Sequence, residues 1–337
     1  MKRPILIVVM VLGIFSFLFS QSKTYLSGTV VIDKKQVACY WSNGKRTNLT
    51  GGIGTNGSDT AGISIFDGKI CVIGRFWNGN TMMPCIWIND EKNDLPIGSD
   101  GLKGSGGIAS SISTNKNGIL IGGAWSKNDK SIPCYWFNGK RIDLPFPNDG
   151  GIGAIVASVY LNDEHKYACG FYYSGGTSHA CYWIDDIYKE IKIPNETKSG
   201  AYKILQSEDL VYICGDYEIK NKQYGYIWEN GTVMNFEDSL SALDICEYQG
   251  TIYTLGVNTK YAPCYWKGTS KVSFAPDSDG ETGYDARKFT IYENKIYACG
   301  AYTWDQGYSS QGCYWIDQKI VLLEKESKNV SGIFILE

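Results

Sequence analysis

The stretch Pro133-Cys134-Tyr135-Trp136-Phe137-Asn138-Gly139 decides the fold, because its first four residues return along the chain in closely related form. Seven such tetrapeptides, each ending in Trp, recur about 46 residues apart on average. A period of this length indicates a repeat architecture rather than several unrelated domains. The tetrapeptides end at Trp41, Trp87, Trp136, Trp183, Trp228, Trp266 and Trp315.

Two further positions are fixed relative to each Trp. A glycine closes an apolar run upstream of the Trp, and an apolar residue stands eight positions after it. The glycines are Gly28, Gly74, Gly123, Gly170, Gly215, Gly256 and Gly300. The apolar residues are Leu49, Leu95, Leu144, Ile191, Phe236, Phe274 and Leu323. Such constant offsets predict that every repeat has the same internal structure.

Each repeat divides into four short strands. The first is predicted to begin at an alanine such as Ala61, the second ends at the repeat glycine, the third carries the Trp, and the fourth ends at the apolar residue. Asn43-Gly44 and its counterparts are hairpin signals between strands three and four, since Asn and Gly tolerate positive φ. Strand two is apolar on both faces, which indicates a sheet covered on both sides. The pattern predicts an all-β, seven-bladed β-propeller with four-stranded blades, forming one domain over 23–337.

The two ends of the chain complement each other. Residues 331–337 resemble a first strand with nothing after it, and residues 22–28 resemble a second strand with nothing before it. We therefore expect the C-terminal strand to pair with the N-terminal blade and close the ring, which would protect the edges of an open sheet.

The N-terminal 22 residues have the features of a secretory signal peptide. Lys2 and Arg3 precede an apolar run from Ile5 to Phe19, and Ser20-Gln21-Ser22 is a small-x-small cleavage pattern. We expect an exported protein of the periplasm, cell envelope or exterior, with membrane contact only if this segment is retained as an anchor. The net charge of −3 and the lack of a later basic stretch exclude the usual electrostatic signature of nucleic-acid binding.

The repeat resembles that of bacterial exported β-propeller proteins whose units have a Tyr-Trp-x-Asn-Gly pattern after a strand ending in Ala-Gly. The residues that carry the resemblance are Tyr135-Trp136-Phe137-Asn138-Gly139 and Lys166-Tyr167-Ala168-Cys169-Gly170. The resemblance implies architecture and no particular activity. This chain departs from it by often having Cys where Ala or Val is usual.

The cysteines are predicted to be small buried core residues. Six of the eleven lie two residues before a repeat Trp, and equivalent sites in adjacent sheets, about 10 Å apart, are too distant for a disulfide. Pairs within a repeat, such as Cys71 with Cys85, stay possible. With two histidines in the chain and an Asp277-Ser278-Asp279-Gly280 segment that departs from the EF-hand pattern, no metal site and no cofactor are predicted.

The longer loops are expected on one face of the propeller, with aromatic residues at a matching offset beyond the repeat glycine. Rings can stack on sugars or anchor peptides while carboxylates accept hydrogen bonds, although the same aromatics could simply pack the blades. The predicted binding residues are Phe76, Trp77, Trp125, Tyr172, Tyr217, Tyr302, Trp304, Asp59, Asp100, Asp149 and Asp279.

Three functions fit this sequence. The main prediction is a non-catalytic recognition or scaffold propeller that binds a protein or glycan through its long-loop face. The first alternative is a glycan-active lyase or hydrolase with carboxylates at the channel mouth. The second alternative is a structural component of the envelope. No catalytic residue is predicted, since no Ser/His/Asp set can be assembled from the sequence.

Overall fold

The computed structural model of the chain describes residues 22–52, 56–98, 106–147, 151–274, 282–305 and 309–336. In these ranges the protein is all-β, with 28 strands. None of the described residues belongs to a helix that is long and apolar enough to cross a membrane. Of the predicted signal peptide, residues 1–21 lie outside the described residues.

Every repeat contributes strands in the same order. The first strands are β4 (Ser58–Phe66), β8 (Gly107–Asn115), β12 (Gly153–Leu161), β16 (Lys198–Ser207), β20 (Ser241–Tyr248), β24 (Gly283–Tyr292) and β28 (Ser327–Leu336). The second strands are β1 (Lys23–Ile32), β5 (Lys69–Trp77), β9 (Gly118–Lys127), β13 (Lys166–Ser174), β17 (Leu210–Ile219), β21 (Thr251–Val257) and β25 (Lys295–Trp304).

The third and fourth strands form the remaining hairpins. The third strands are β2 (Lys35–Ser42), β6 (Met82–Ile88), β10 (Lys130–Phe137), β14 (Thr177–Ile184), β18 (Lys222–Glu229), β22 (Pro263–Lys267) and β26 (Ser309–Ile316). The fourth strands are β3 (Lys45–Asn48), β7 (Glu91–Asp94), β11 (Lys140–Asp143), β15 (Ile187–Glu190), β19 (Thr232–Asn235), β23 (Ser270–Ser273) and β27 (Lys319–Leu322).

Within the described residues these strands form five four-stranded sheets and one eight-stranded sheet. The eight-stranded sheet consists of β8–β11 and β12–β15, which are joined through one parallel bridge between Ser131 and Gly153. In the sheet that contains both chain ends, β28 pairs antiparallel with β1, from Lys23 opposite Leu336 to Val30 opposite Ser327.

The first strand begins earlier, and the second strand ends later, than the sequence pattern predicts. The first strand of the second repeat begins at Ser58 rather than Ala61, and the second strand continues past Gly74 to Trp77. The reason is that backbone pairing continues beyond the glycine, with Ser58 opposite Phe76. Residues expected to lie in a loop are therefore in paired strands.

The repeat glycine is explained by a β-bulge in the strand that faces it. Opposite Gly74, the register of β4 shifts between Thr60 and Gly62, and the first strands of the other sheets have the corresponding shift. A Cβ added at Gly74 would lie 2.0 Å from the carbonyl oxygen of Asp59. The other six repeat glycines would meet the facing backbone oxygen at 2.3 Å or less. Only glycine fits beside the bulge.

The repeat Trp residues connect neighbouring sheets. Six of the seven are at most 1% exposed. Trp87, Trp136 and Trp183 donate their indole N–H to the backbone oxygens of Thr50, Pro96 and Pro145, which follow the fourth strand of the preceding repeat. These bonds satisfy the one polar atom of a large buried ring.

The cysteines lie where the sequence predicts. All eleven are free thiols and ten are buried. Burial raises the pKa of the Cys71 thiol to about 11 and that of the Cys264 thiol to about 12. They act as small apolar residues that pack the sheets.

Candidate functional site

A cavity of about 90 Å³ lies between the first strands of six repeats. We call it the central cavity. Its lining comes from β4, β8, β16, β20, β24 and β28, and most of the lining residues lie at or next to the bulges. The bulge thus fixes which residue of each first strand faces the cavity. The residues immediately after the bulge include Gly62, Ser111, Lys203, Asp244, Lys288 and Gly332.

These six residues divide the cavity into two parts. Gly62, Ser111 and Gly332 form what we call the small-residue wall. Lys203, Asp244 and Lys288 form what we call the charged wall, on three consecutive first strands. The same backbone position therefore has small uncharged residues on one side of the cavity and two lysines and an aspartate on the other.

Asp244 is the centre of the charged wall. It is 2% exposed, and its Oδ2 accepts a hydrogen bond of 3.0 Å from the backbone N–H of Phe289. Its Oδ1 lies 3.5 Å from Lys203 Nζ and 3.9 Å from Lys288 Nζ. Burial acts to lower the pKa of Lys203, but the charge of Asp244 outweighs it, so that this pKa is raised above its usual value. Lys203 is therefore a permanent cation at neutral pH.

A tyrosine and a carboxylate lie next to the charged wall. Tyr202, the bulge residue of β16, donates a hydrogen bond of 3.0 Å from its hydroxyl to Asp216 Oδ1. Gln223 Nε2 donates to Asp216 Oδ2, also at 3.0 Å. Both Tyr202 and Asp216 are half-buried.

Burial changes the acidity of this pair. It raises the pKa of Asp216 above its usual value, although the hydrogen bonds from Tyr202 and Gln223 oppose the shift. Burial also raises the pKa of Tyr202, and the charge of Asp216 raises it further. A carboxylate made more basic by burial is a better proton acceptor for the phenol that it contacts.

An ion pair continues this group of polar residues along the same sheet. Lys198 Nζ lies 2.9 Å from Glu218 Oε2. The hydrogen bond between them raises the pKa of Lys198 and lowers that of Glu218. Both side chains therefore remain charged near neutral pH. The pair lies at the N-terminal end of β16, where the loop from β15 enters the strand.

Most of the aromatic residues predicted to bind a ligand are buried. Phe76, Trp125, Tyr172 and Tyr217 are between 4% and 9% exposed and belong to the hydrophobic core clusters. Trp77, Tyr302 and Trp304 are half-buried. The rings of Tyr302 and Trp304 lie 5.6 Å apart.

Of the four predicted carboxylates, Asp59 alone lies in the described part of the chain. Asp59 forms a bidentate ion pair with Arg75, at 2.6 and 3.2 Å. Asp100, Asp149 and Asp279, together with the Asp277–Gly280 segment, lie outside the described residues. Among the residues that the structure describes, no group of three His, Cys, Asp or Glu could hold a metal ion.

Sequence reasoning missed Tyr202, Lys203, Asp216, Asp244 and Lys288. Lys203, Asp244 and Lys288 come directly after the bulge of their first strands, where the other repeats have Gly62, Ser111, Ser158 and Gly332. Charged residues at a repeat position that is otherwise small were the available signal.

Comparison with known proteins relates the fold to one class of structures. The chain is similar to Trypanosoma rangeli sialidase in complex with sialic acid, with 11% identity and a TM-score of 0.50 over 91% of this chain and 56% of that one. It is similarly close to a mutant of that sialidase with trans-sialidase activity and to its covalent intermediate with 2,3-difluorosialic acid. Each of these has 11% identity and a TM-score of 0.50, over 86% of this chain and 57% of the other.

The chain thus has an all-β fold of repeated four-stranded sheets like that of the sialidase β-propellers, and it spans a little over half the length of the sialidases it matches. No protein-family model and no curated protein sequence matches it.

These comparisons correct the main functional prediction. The similar structures are sialidases, which are glycan hydrolases, so they favour the glycan-active alternative over a non-catalytic recognition or scaffold propeller. The sequence was misleading because the repeat makes scaffold residues conspicuous, whereas the polar groups of the cavity occupy a position that varies between repeats. At 11% identity the likeness shows the fold alone.

Proposed function

We propose that this protein is a glycan-active hydrolase that acts at the Tyr202–Asp216 pair beside the central cavity. The observation that carries the proposal is the hydrogen bond of 3.0 Å from the Tyr202 hydroxyl to a half-buried carboxylate. Glycosidases generally use two carboxylates, and sialidases use a tyrosine nucleophile. A tyrosine that donates to a carboxylate has the arrangement that the second kind of chemistry needs.

The reaction would follow from the roles of the two groups. The Tyr202 oxygen attacks the anomeric carbon as its proton moves to Asp216, and the bond from that carbon to the leaving oxygen breaks. The leaving oxygen takes a proton from water. A second water then attacks the same carbon, and the bond from that carbon to the Tyr202 oxygen breaks. The proton of this water neutralises the hydroxide left by the first one, and Asp216 returns its proton to Tyr202. Asp216 thus acts as the general base and Tyr202 as the nucleophile.

The proposal includes the finer architecture expected from the sequence, a closed ring of seven blades. It is supported by the pairing of β28 with β1 and by the contacts of the first strands, where β24 contacts β28 and β28 contacts β4. In such a ring the central cavity opens at the long-loop face, where a glycan would enter.

The half-buried aromatic residues would extend the contact area of that face. We propose that Trp77, Tyr302 and Trp304 contact sugar rings, with Asp59 held by Arg75 at the same edge. The buried aromatics Phe76, Trp125, Tyr172 and Tyr217 would support the face from below. We further propose that residues 1–22 direct export, so that the enzyme meets glycans of the envelope or exterior.

The test is hydrolysis of a panel of aryl glycosides and acidic oligosaccharides by the mature chain. Tyr202→Phe and Asp216→Asn should each lower kcat by about 100-fold or more, because each removes one partner of the reacting pair. Tyr224→Phe is the matched control, since Tyr224 lies in the same sheet and stacks on Tyr217 at 5.3 Å. An inactive wild-type protein over the whole panel, or full activity in Tyr202→Phe, would contradict the proposal.

A further inference from the structure

The charged wall of the central cavity has more positive than negative charge. Lys203 and Lys288 supply two ammonium groups, and among the described residues their one carboxylate partner is Asp244. Arg287 on the same strand as Lys288 adds no net charge, because it pairs with Asp285 at 2.7 Å. The two lysine side chains are 26% and 27% exposed and outnumber their carboxylate partner, so the wall has a net positive charge that an anion could neutralise.

The geometry of the ion pairs leaves donors available. The distances of 3.5 and 3.9 Å from Asp244 Oδ1 to the two Nζ atoms are longer than a good hydrogen bond, and this Oδ1 has no hydrogen-bond partner in the described part of the chain. Each ammonium group carries three N–H donors. Most of these donors are therefore free to bind something other than Asp244.

The opposite wall offers hydroxyl groups. Ser111 Oγ accepts a bond of 3.2 Å from the backbone N–H of Val159, so its own hydrogen is free to donate. Ser331 Oγ, which also lines the cavity, lies 2.7 Å from Thr60 Oγ1. A volume of about 90 Å³ has room for several waters, and hence for a small polyatomic ion.

We propose that the central cavity is a binding site for one small oxyanion, held by Lys203 and Lys288 and faced by Ser111. A cluster of donors around a net positive charge suits the several acceptor oxygens of a phosphate or carboxylate group. The proposal rests on the cavity and its charges, and it holds whether or not Tyr202 and Asp216 hydrolyse glycans.

Isothermal titration calorimetry with inorganic phosphate, and separately with acetate, tests the site at constant ionic strength set with chloride. Saturable binding of one anion per chain is expected. Binding of phosphate alone would identify a phosphate-type ligand, and binding of acetate would identify a carboxylate. Lys203→Met and Lys288→Met should each weaken the affinity by about tenfold or more.

Asp244→Asn is the most discriminating variant. It keeps an acceptor for the Phe289 N–H but removes the competing negative charge, so the anion should bind about tenfold more tightly. A merely structural role for Asp244 would leave the affinity unchanged. Lys203→Arg keeps the charge and should bind within a few-fold of wild type, which covers the case in which Lys203→Met does not fold.

Lys116→Met is the matched control, since Lys116 pairs with Asp163 at the surface and should not affect binding. Absence of saturable binding to either anion would overturn the proposal. Affinities that do not change in Lys288→Met and Asp244→Asn would overturn it as well.

Discussion

The two walls of the central cavity have the same backbone and different chemistry. On both, a bulge in the first strand faces a repeat glycine in the second, and the next residue points toward the cavity. That residue is Gly or Ser on the small-residue wall, and Lys, Asp and Lys on the charged wall. The repeat therefore specifies the scaffold, and a single position within it specifies where ligand chemistry can occur.

If the scaffold is common to both walls, replacing a repeat Trp should strongly destabilise the protein on either side. Trp87→Ala, in the sheet of the small-residue wall, and Trp266→Ala, in the sheet of the charged wall, each delete a ring that is 0% exposed. Each should lower the free energy of unfolding by about 3–5 kcal/mol.

Urea unfolding followed by Trp fluorescence and circular dichroism measures both variants. Trp87→Ala should cost about 1 kcal/mol more, because Trp87 donates to Thr50 O at 2.7 Å, whereas the Trp266 indole N–H has no partner in the described part of the chain. Ile187→Ala, at an exposed site of an outer strand, is the control. A large loss on one side alone would show that the walls do not share a scaffold.

The walls should differ when the cavity residue itself is changed. Asp244→Ala leaves two lysines facing each other without a counter-charge and should cost about 3 kcal/mol. Ser111→Ala, at the equivalent position, should cost about 1 kcal/mol through the lost bond to Val159 N–H. Equal costs in thermal unfolding would contradict the distinction between the walls.

The junction between the last and first repeats should be the least sensitive to mutation. There Glu324 replaces the backbone oxygen that accepts from Trp87, Trp136 and Trp183 in their repeats. It accepts from Trp41 Nε1 at 3.1 Å and pairs with Arg46 at 2.6 Å. Glu324→Gln keeps an acceptor for Trp41 and loses the half-exposed ion pair, so we expect a loss of about 0.5 kcal/mol. The loss should become smaller in high salt. A loss above about 2 kcal/mol in urea unfolding would mean that this ion pair is essential to the junction.

The sequence predicts the repeated parts of the fold well, for a physical reason. Turn residues and the repeat glycine are required by the local backbone in every repeat, as the positive φ of Asn43 and Asn138 confirms. The cavity residues depend on the bulge, which interrupts the alternation of a strand, so counting by two from Ala201 does not show where Lys203 points.

The aromatic residues are the opposite case, because the alternation of a regular strand does apply to them. Phe76 and Trp77 are adjacent in the sequence, and both were predicted to bind a ligand. Because β5 continues through them, their side chains point to opposite faces, and Phe76 is buried while Trp77 is half-buried. Alternation could have been applied here if the strand had not been expected to end at Gly74.

A crystal structure of the protein with a hydrolysable glycan bound to the inactive Asp216→Asn variant tests the central claim most directly. The account predicts that the anomeric carbon lies about 3–3.5 Å from the Tyr202 hydroxyl oxygen, beside the charged wall. A glycan bound on the outer strands, with no atom near Tyr202 or the central cavity, would contradict it.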